Sequence, residues 1–600
     1  MKEGSLQIGP TPTENTRSLR PGDFSTLTQA LDYAALGETG CNFYGSSGAL
    51  SSVLTYRMLR KEGKALARRL LSLGLERGTR VALIADTHPD FHRFFFACQY
   101  AGLVPVPLPC SPHLGNHEGY VAQLRALLVH CQATVALAPP GFASFLGEAG
   151  DGLNLRFIGS LEELFALPES PIHLNPLEPE ELAYIQYTSG STRFPRGVVI
   201  TQKAALANLS SITQHGLLVR PGDRCVSWLP FYHDMGLVGF VLGPMASQLS
   251  VDYLGTRDFA MRPRQWLSLM SSGRGTISFS PSFGYELCVR RLRKDQVERF
   301  DLSAWRVAGV GAETTRPRPL MQFAELLAPS GFDKKAFVAC YGLAECTLAV
   351  SFAPLGQGLE ADRVDKNHLA MNEEALPLGR EGNIGGEEHT TTFIKCGKPL
   401  PNVAVVIRDG EGRELPDRHC GTIYVRGSSV MPGYFSDPLE TEKVLSPEGW
   451  LDTGDVGYQI QDHIVVTGRK KDLIIINGRN IWPQDLEDLA ELVAEVRPGD
   501  ACAFSVAGPN EEDFAVMVVQ SRESDSIKRA DLIECLQSLI RRDLGVDCVI
   551  ELVPPRTLPR TSSGKLSRSK SREDFLNRVD WQDLAQTVIV SRDSHSANMA

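Results

Sequence analysis

Paired cysteines are missing from this 600-residue chain: its thirteen cysteines are odd in number, and no two stand in a Cys-x-x-Cys spacing. Neither a zinc site nor a disulfide framework is indicated, and the thiols read as reduced, small apolar residues of a cytoplasmic protein. Positive charge is also short, with 61 Lys and Arg against 71 Asp and Glu and a net charge of −10. A general nucleic-acid or membrane-surface binder needs a net basic face, so those classes are disfavoured, although a local basic patch stays open. No run suits a membrane-spanning helix. The longest uncharged stretch, Phe94 to Gly115, carries Pro105, Pro107 and Pro109, which a spanning helix of about 20 residues would not normally hold in sequence. Met1 to Arg20 lacks the apolar core of a secretory signal and reads as a loose tail.

What is there is the composition of a soluble globular protein, 42% apolar and 22% charged. The length is too great for one ordinary core and predicts several packed units. Strand-like and helical runs alternate from the start. Thr55 to Leu73 is helical in spacing, Arg80 to Ala85 strand-like, Asp90 to Tyr100 helical and Val104 to Leu108 strand-like. The pattern repeats through Tyr120 to His130 and Thr134 to Ala138 and predicts a largely parallel sheet with helices on its faces.

Tyr187 to Gly197, Tyr-Thr-Ser-Gly-Ser-Thr-Arg-Phe-Pro-Arg-Gly, stands between the strand-like runs Ala183 to Tyr187 and Val198 to Ile200. Backbone N–H groups and short hydroxyls in such a loop close around a phosphate, with Gly190 and Gly197 allowing close approach and Arg193 and Arg196 supplying charge. Its composition alone equally fits a flexible surface loop. It is not a Walker loop, because Pro195 and Arg196 stand where that pattern, counted from Gly190, needs Gly and Lys.

Further along, His233 and Asp234 follow aromatics and precede glycines, a pair that is structural more often than catalytic. Two strand-like runs end in a glycine and an acid: Trp305 to Val310 into Gly311-Ala312-Glu313, and Ala336 to Cys340 into Tyr341-Gly342-Leu343-Ala344-Glu345. Gln357 to Lys395 changes character, with many acids and little periodicity, and predicts a mobile or appended insertion. Beta-rich sequence resumes at Val403, runs through Trp450 to Tyr458 and Ile464 to Gly468, and gives way after Lys471 to a small α+β unit with helices near Gln484 to Val496 and Lys528 to Asp543. Pro559 to Arg568, Pro-Arg-Thr-Ser-Ser-Gly-Lys-Leu-Ser-Arg, closes that unit with a second glycine and hydroxyl loop.

These segments, in this order, resemble the AMP-forming ligases that adenylate carboxylic acids, a superfamily that also holds fatty acyl-CoA ligases and the adenylation domains of nonribosomal peptide synthetases. Within it the chain is most similar to the fatty acyl-AMP ligases. Five features carry this: Arg193 and Arg196 where ligases for coenzyme A usually have Gly and Lys, His233-Asp-Met-Gly236, Pro281 to Arg291, Gly478 to Glu487, and the extra segment between Phe352 and Cys396.

The resemblance implies an α/β fold. A large N-terminal acyl-adenylate-forming domain of several subdomains, with parallel sheets and a β-rich part, spans residues 21–470 and contains the insertion at 353–396. A small mobile α+β C-terminal domain covers 471–588, and 1–20 and 589–600 are tails. ATP is the implied substrate and Mg²⁺ the implied cofactor. Thr188, Ser189, Gly190, Ser191 and Thr192, with Arg196, would hold the phosphates, and Glu345 the metal. Tyr341 and Gly342 would flank adenine opposite Gly311, Ala312 and Glu313, while Asp455 and Arg469 would reach the ribose. His233, Glu345 and Lys565 are the implied catalytic residues, and Lys471 the hinge that brings Lys565 in and out. Phe231, Met235, Phe279 and Phe283 would line the acyl pocket or be plain core.

The implied reaction joins a long-chain fatty acid to AMP and passes the acyl group to a separate acyl carrier protein or polyketide or nonribosomal synthase, in the cytoplasm, with no nucleic acid and no integral membrane association. No carrier domain is expected after Lys565, where about 35 residues remain, fewer than the roughly 50 of a small domain. Coenzyme A as acceptor is the alternative, and a non-catalytic nucleotide- or lipid-binding module is a third. Arg193 departs from the usual glycine and would alter the geometry of its loop.

Overall fold

The computed structural model describes residues 18–110, 117–188, 195–378, 390–476, 479–508, 513–560 and 566–581. Its largest sheet has nine strands, and six neighbours in it are parallel, in the order Phe337–Gly342, Val307–Val310, Ile277–Ser280, Arg224–Ser227, Ser250–Leu254 and Gly40–Tyr44. Ile277–Ser280 and Val307–Val310 are buried at every position. Parallel strands covered on both faces need such continuous apolar runs. A second sheet, Val104–Leu108, Arg80–Ile84, Val135–Leu137 and Phe157–Gly159, is parallel throughout, whereas the nine-stranded sheet has antiparallel strands at its edges. The alternation of short apolar runs with amphipathic helices thus yields two largely parallel sheets, where the sequence suggested one.

Leu182–Tyr187 and Gly197–Thr201 pair antiparallel as a two-stranded hairpin outside both sheets. The glycine loop therefore joins two antiparallel strands rather than leaving a strand of a parallel sheet. The short loop allows the chain to fold straight back, and the Thr188 N–H donates to the Arg196 carbonyl at 3.0 Å to close it.

Four antiparallel strands, Val403–Arg408, Gly421–Gly427, Leu451–Ile460 and His463–Arg469, form the β-rich part. The described residues of the insertion carry regular elements that its lack of periodicity does not predict. Ala361–Asp365 pairs with Thr390–Ile394, and the helix Lys366–Asn372 starts where the Asp365 carboxylate caps the His368 N–H at 2.8 Å. After Arg469, the hairpin Ile474–Ile476 with Arg479–Ile481 and the sheet Ala501–Ala507, Asp513–Gln520 and Cys548–Val553 have apolar clusters of their own. The helix Pro483–Ala490 is shorter than the apolar spacing through Val496 suggested.

All thirteen cysteines are free thiols. Among the described residues no helix is long and apolar enough to cross a membrane.

Candidate active site

A single cavity of about 530 Å³ runs from the hairpin loop to the beginnings of the central parallel strands. Its upper part is polar and lies where those strands end. Thr188, Arg196, His233, Ala312, Tyr341, Gly342, Glu345, Arg469 and Lys471, singled out in the sequence over almost three hundred positions, all line it.

Tyr341 ends the strand Phe337–Gly342, and its hydroxyl donates to the Asp455 carboxylate at 2.8 Å. The same carboxylate receives Arg469 at 3.2 Å across the register pair Asp455 and Arg469. Asp455 lies just behind the cavity wall, and its charge holds the Arg469 guanidinium firmly protonated. Burial and this carboxylate together push the Tyr341 phenol far up, so it stays a donor.

Glu345 accepts a hydrogen bond from the Tyr434 hydroxyl at 2.9 Å, and its backbone carbonyl accepts the Met431 N–H at 2.8 Å. Burial raises its carboxyl pKa, which Tyr434 opposes. Arg196 is not an isolated anion binder, because its guanidinium pairs with Glu440 and lies 5.2 Å above the Tyr434 ring. One aromatic ring therefore links the loop arginine to the glutamate. Sequence reasoning missed Tyr434. Only the Met431-Pro-Gly-Tyr434 turn hinted at it, since 89 positions separate it from Glu345.

The glycines here answer to space. A Cβ at Gly342 would lie 1.9 Å from the Leu348 carbonyl oxygen, and one at Gly311 would lie 2.7 Å from the Cys340 sulfur. Ala312 has a φ of +72°, a left-handed conformation that a non-glycine residue adopts at a cost and that collects at functional sites. The Glu313 carboxylate is occupied by the Phe283 N–H at 3.3 Å. His233 and Asp234 lie 3.9 Å apart, and both face the cavity.

The lower part is apolar, and two π-helical turns, Ile212–Gly216 and Leu237–Leu242, form much of its wall. The Leu217 N–H reaches back five residues to the Ile212 carbonyl at 2.7 Å. Such wide turns are rare and recur at functional sites. Met235 and Phe279 line this channel. Phe231 and Phe283 do not. Phe231 turns to the opposite side and is wholly buried against Phe91, His92 and Tyr253, with ring centroids 5.4, 5.1 and 4.9 Å away. Phe283 meets Trp228 edge-on at 5.8 Å. Phe231 is core and Phe283 packs half-buried against that core, and an apolar residue type cannot encode which side it faces.

Ser189, Gly190, Ser191, Thr192, Arg193, Gly478 and Lys565 lie outside the described residues. Among the described residues no three His, Cys, Asp or Glu side chains gather to hold a metal by themselves.

An AMP-binding enzyme family model matches residues 43–435. A putative acyl-CoA synthetase of Caulobacter vibrioides is 47% identical over 95% of this chain and 98% of its own length. A medium-chain-fatty-acid–[acyl-carrier-protein] ligase of Moorena producens is 31% identical over 95% of this chain and 98% of its own. A solved structure from work on fatty acyl-adenylate ligases of E. coli and L. pneumophila superposes with a TM-score of 0.88 at 47% identity, covering 93% of this chain and 99% of the other. A cavity polar at the strand ends and apolar below them, together with matches over nearly the whole length, leads to one conclusion: the chain belongs to the AMP-binding enzymes and is an acyl-adenylate-forming fatty acid ligase.

Proposed function

We propose that the enzyme activates a long-chain fatty acid with ATP and delivers the acyl group to the phosphopantetheine thiol of a separate acyl carrier protein. A carboxylate oxygen of the fatty acid attacks the α-phosphorus, and the bond to pyrophosphate breaks. The carrier thiol, losing its proton, then attacks the acyl carbon and AMP leaves.

The hairpin loop from Thr188 to Arg196 binds the phosphates, Tyr341 and Gly342 pack beside adenine opposite Gly311 to Glu313, and Asp455 and Arg469 fix the ribose. His233 and Lys565 act at the carboxylate and α-phosphate. Positioning and charge stabilisation supply most of such a rate without a covalent enzyme intermediate. Mg²⁺ suits the site chemically, because one carboxylate, Glu345, lines the cavity together with Thr188 and Arg196, and this ion is bound by one or two carboxylates with substrate phosphates. When bound, it neutralises charge on the phosphates. Residues 471–588 act as the moving unit, with Lys471 as hinge. Free thiols throughout fit a reducing compartment, the cytoplasm.

The observation that carries the choice of acceptor is the insertion. Its helix and the capping residue after it grip the C-terminal unit through Lys366 to Asp485 at 3.4 Å, Arg479 to Asn367 at 3.4 Å and Asn480 to Glu373 at 3.1 Å. A tethered unit disfavours the rotation that a ligase for coenzyme A needs. The similar medium-chain ligase of Moorena producens is named for a carrier-protein acceptor. The test supplies ATP, Mg²⁺, dodecanoate and either coenzyme A or a loaded-arm carrier protein. Acyl-AMP should accumulate with coenzyme A and discharge onto the carrier, whereas abundant acyl-CoA would sink the assignment.

A further inference from the structure

The turn that carries Tyr434 is fastened to the glycine loop and to Glu345 at once. The Val199 N–H donates to the Gly433 carbonyl at 3.1 Å and the Phe435 N–H to the Gly197 carbonyl at 2.7 Å, so Tyr434 pairs antiparallel with Val198 on the strand Gly197–Thr201 that leaves the loop. The Tyr434 N–H donates to the Thr441 hydroxyl at 2.9 Å, on the helix Pro438–Val444. The same segment reaches Glu345 twice, through the Met431 N–H on its backbone carbonyl at 2.8 Å and through the Tyr434 hydroxyl on its carboxylate at 2.9 Å. One short stretch therefore fixes both the backbone and the side chain of Glu345 relative to the loop.

The Tyr434 ring completes the connection. It is 8% exposed, Arg196 lies 5.2 Å above it, and Arg196 pairs with Glu440 of the helix Pro438–Val444. Tyr434, Glu345, Arg196 and Thr188 all line the cavity. A carboxylate on a flexible stem loses rotamer freedom when it takes a cation, and a donor that holds it beforehand reduces that cost. A single hydrogen bond does not exhaust it, since its two oxygens offer about four lone-pair sites. Carboxylates that ligate metals are themselves hydrogen-bonded, and losing such an outer partner costs roughly 10–100-fold in metal affinity or activity.

Resting on the reading of Glu345 as the metal ligand, we propose that Tyr434 is a positioning residue for it. The Tyr434 hydroxyl holds the Glu345 carboxylate at the phosphate loop, set to receive the divalent cation that arrives with ATP, and its ring backs the loop arginine. Tyr434 acts through Glu345 and takes no part in the bonds that form and break.

Calorimetry of ATP binding without fatty acid, at graded Mg²⁺ concentrations, tests this apart from turnover. Wild-type affinity for ATP should rise with Mg²⁺. In Tyr434→Phe, which keeps the ring beneath Arg196, the Mg²⁺ concentration that gives half of that rise should be about tenfold higher. Its affinity for ATP without metal should be unchanged, as should KM for the fatty acid at saturating Mg²⁺. Glu345→Ala should abolish the rise, and Tyr434→Phe added to it should change nothing further, because a residue acting through another has no effect once that other is gone. Wild-type Mg²⁺ dependence in Tyr434→Phe would overturn the proposal. So would a further loss in the Glu345→Ala background, or an equal weakening with and without Mg²⁺, the mark of a packing defect. If Glu345→Ala instead keeps the full Mg²⁺ response, the metal reading of Glu345 fails and the role of Tyr434 falls with it.

Discussion

Gly309 and Phe279 are directly paired across two parallel strands, and a Cβ at Gly309 would lie 2.1 Å from the Phe279 ring. The ring lies over the glycine because no side chain is there, and this leaves the channel its width. Gly309→Ala should drive the ring into the channel and raise KM for long-chain acids about tenfold, one misfitted contact being worth roughly 1–3 kcal/mol. KM for ATP should not move, which steady-state titration of each substrate separates; equal loss for both would mean a general folding defect. At this scale the sequence was legible where chemistry dictates residue type. Thr188, Glu345 and Arg469 stood out as charged or hydroxylated residues in strand–turn contexts, and all three face the cavity. It was not legible where the partner is remote or the type ambiguous. Tyr434 looks like any turn aromatic until its hydroxyl meets Glu345. The sheet's geometry, not composition, decides that Phe279 borders the channel while Phe231 is core.

Elements followed the pattern wherever apolar spacing was strong: the helix expected at Asp90 to Tyr100 is Pro89–Ala101, and the strand Val104–Leu108 matches its expected ends. Spacing cannot reveal pairing partners or hydrogen-bond period, so neither the antiparallel pairing of Leu182–Tyr187 with Gly197–Thr201 nor the π-helical turn at Ile212–Gly216 is legible in it. Pro89–Ala101 carries a consequence of its own, since His92 on it is buried among Phe43, Phe91, Phe231 and Tyr253, with Nε2 3.2 Å from the Tyr253 hydroxyl. Burial pushes its imidazole down to about 3 from 6.5, with Arg93 and His88 adding to the effect and a hydrogen bond to the His88 backbone opposing it. The folded protein therefore binds one proton fewer than the unfolded chain between those values. Stability is fully present above pH 6.5 and is lost as pH falls toward 3, by roughly 3–5 kcal/mol from this one group. His92→Gln should be less stable at neutral pH yet lose less on acidification, and thermal unfolding at pH 7 and pH 4.5 reads the difference. An identical acid-induced drop in both proteins would show that the imidazole titrates freely in the fold.

At the scale of the whole molecule, the described residues show two separate sets of contacts between the C-terminal unit and the rest of the chain. Arg316 of the main body reaches Glu491 at 3.3 Å and Arg290 reaches the Pro498 carbonyl at 3.3 Å, while the insertion contributes Lys366, Asn367 and Glu373 on another face. The first set belongs to the body that carries the cavity, so disturbing it would confound adenylation with motion. The second can be removed alone. Partly exposed polar contacts contribute roughly 0.2–1 kcal/mol each, so three of them bias the pose by about 1–2 kcal/mol. Lys366→Ala, Asn367→Ala and Glu373→Ala combined should therefore raise the population of rotated C-terminal units by roughly 5–30-fold, and acyl-CoA formation in the presence of coenzyme A with it. Pyrophosphate release should be unchanged, since none of the three residues lines the cavity. Acyl-CoA formation that stays at the wild-type level while the variant remains folded and active in adenylation would mean that the insertion does not govern the acceptor step, and that exclusion of coenzyme A, if observed, is imposed within the cavity rather than by the tether.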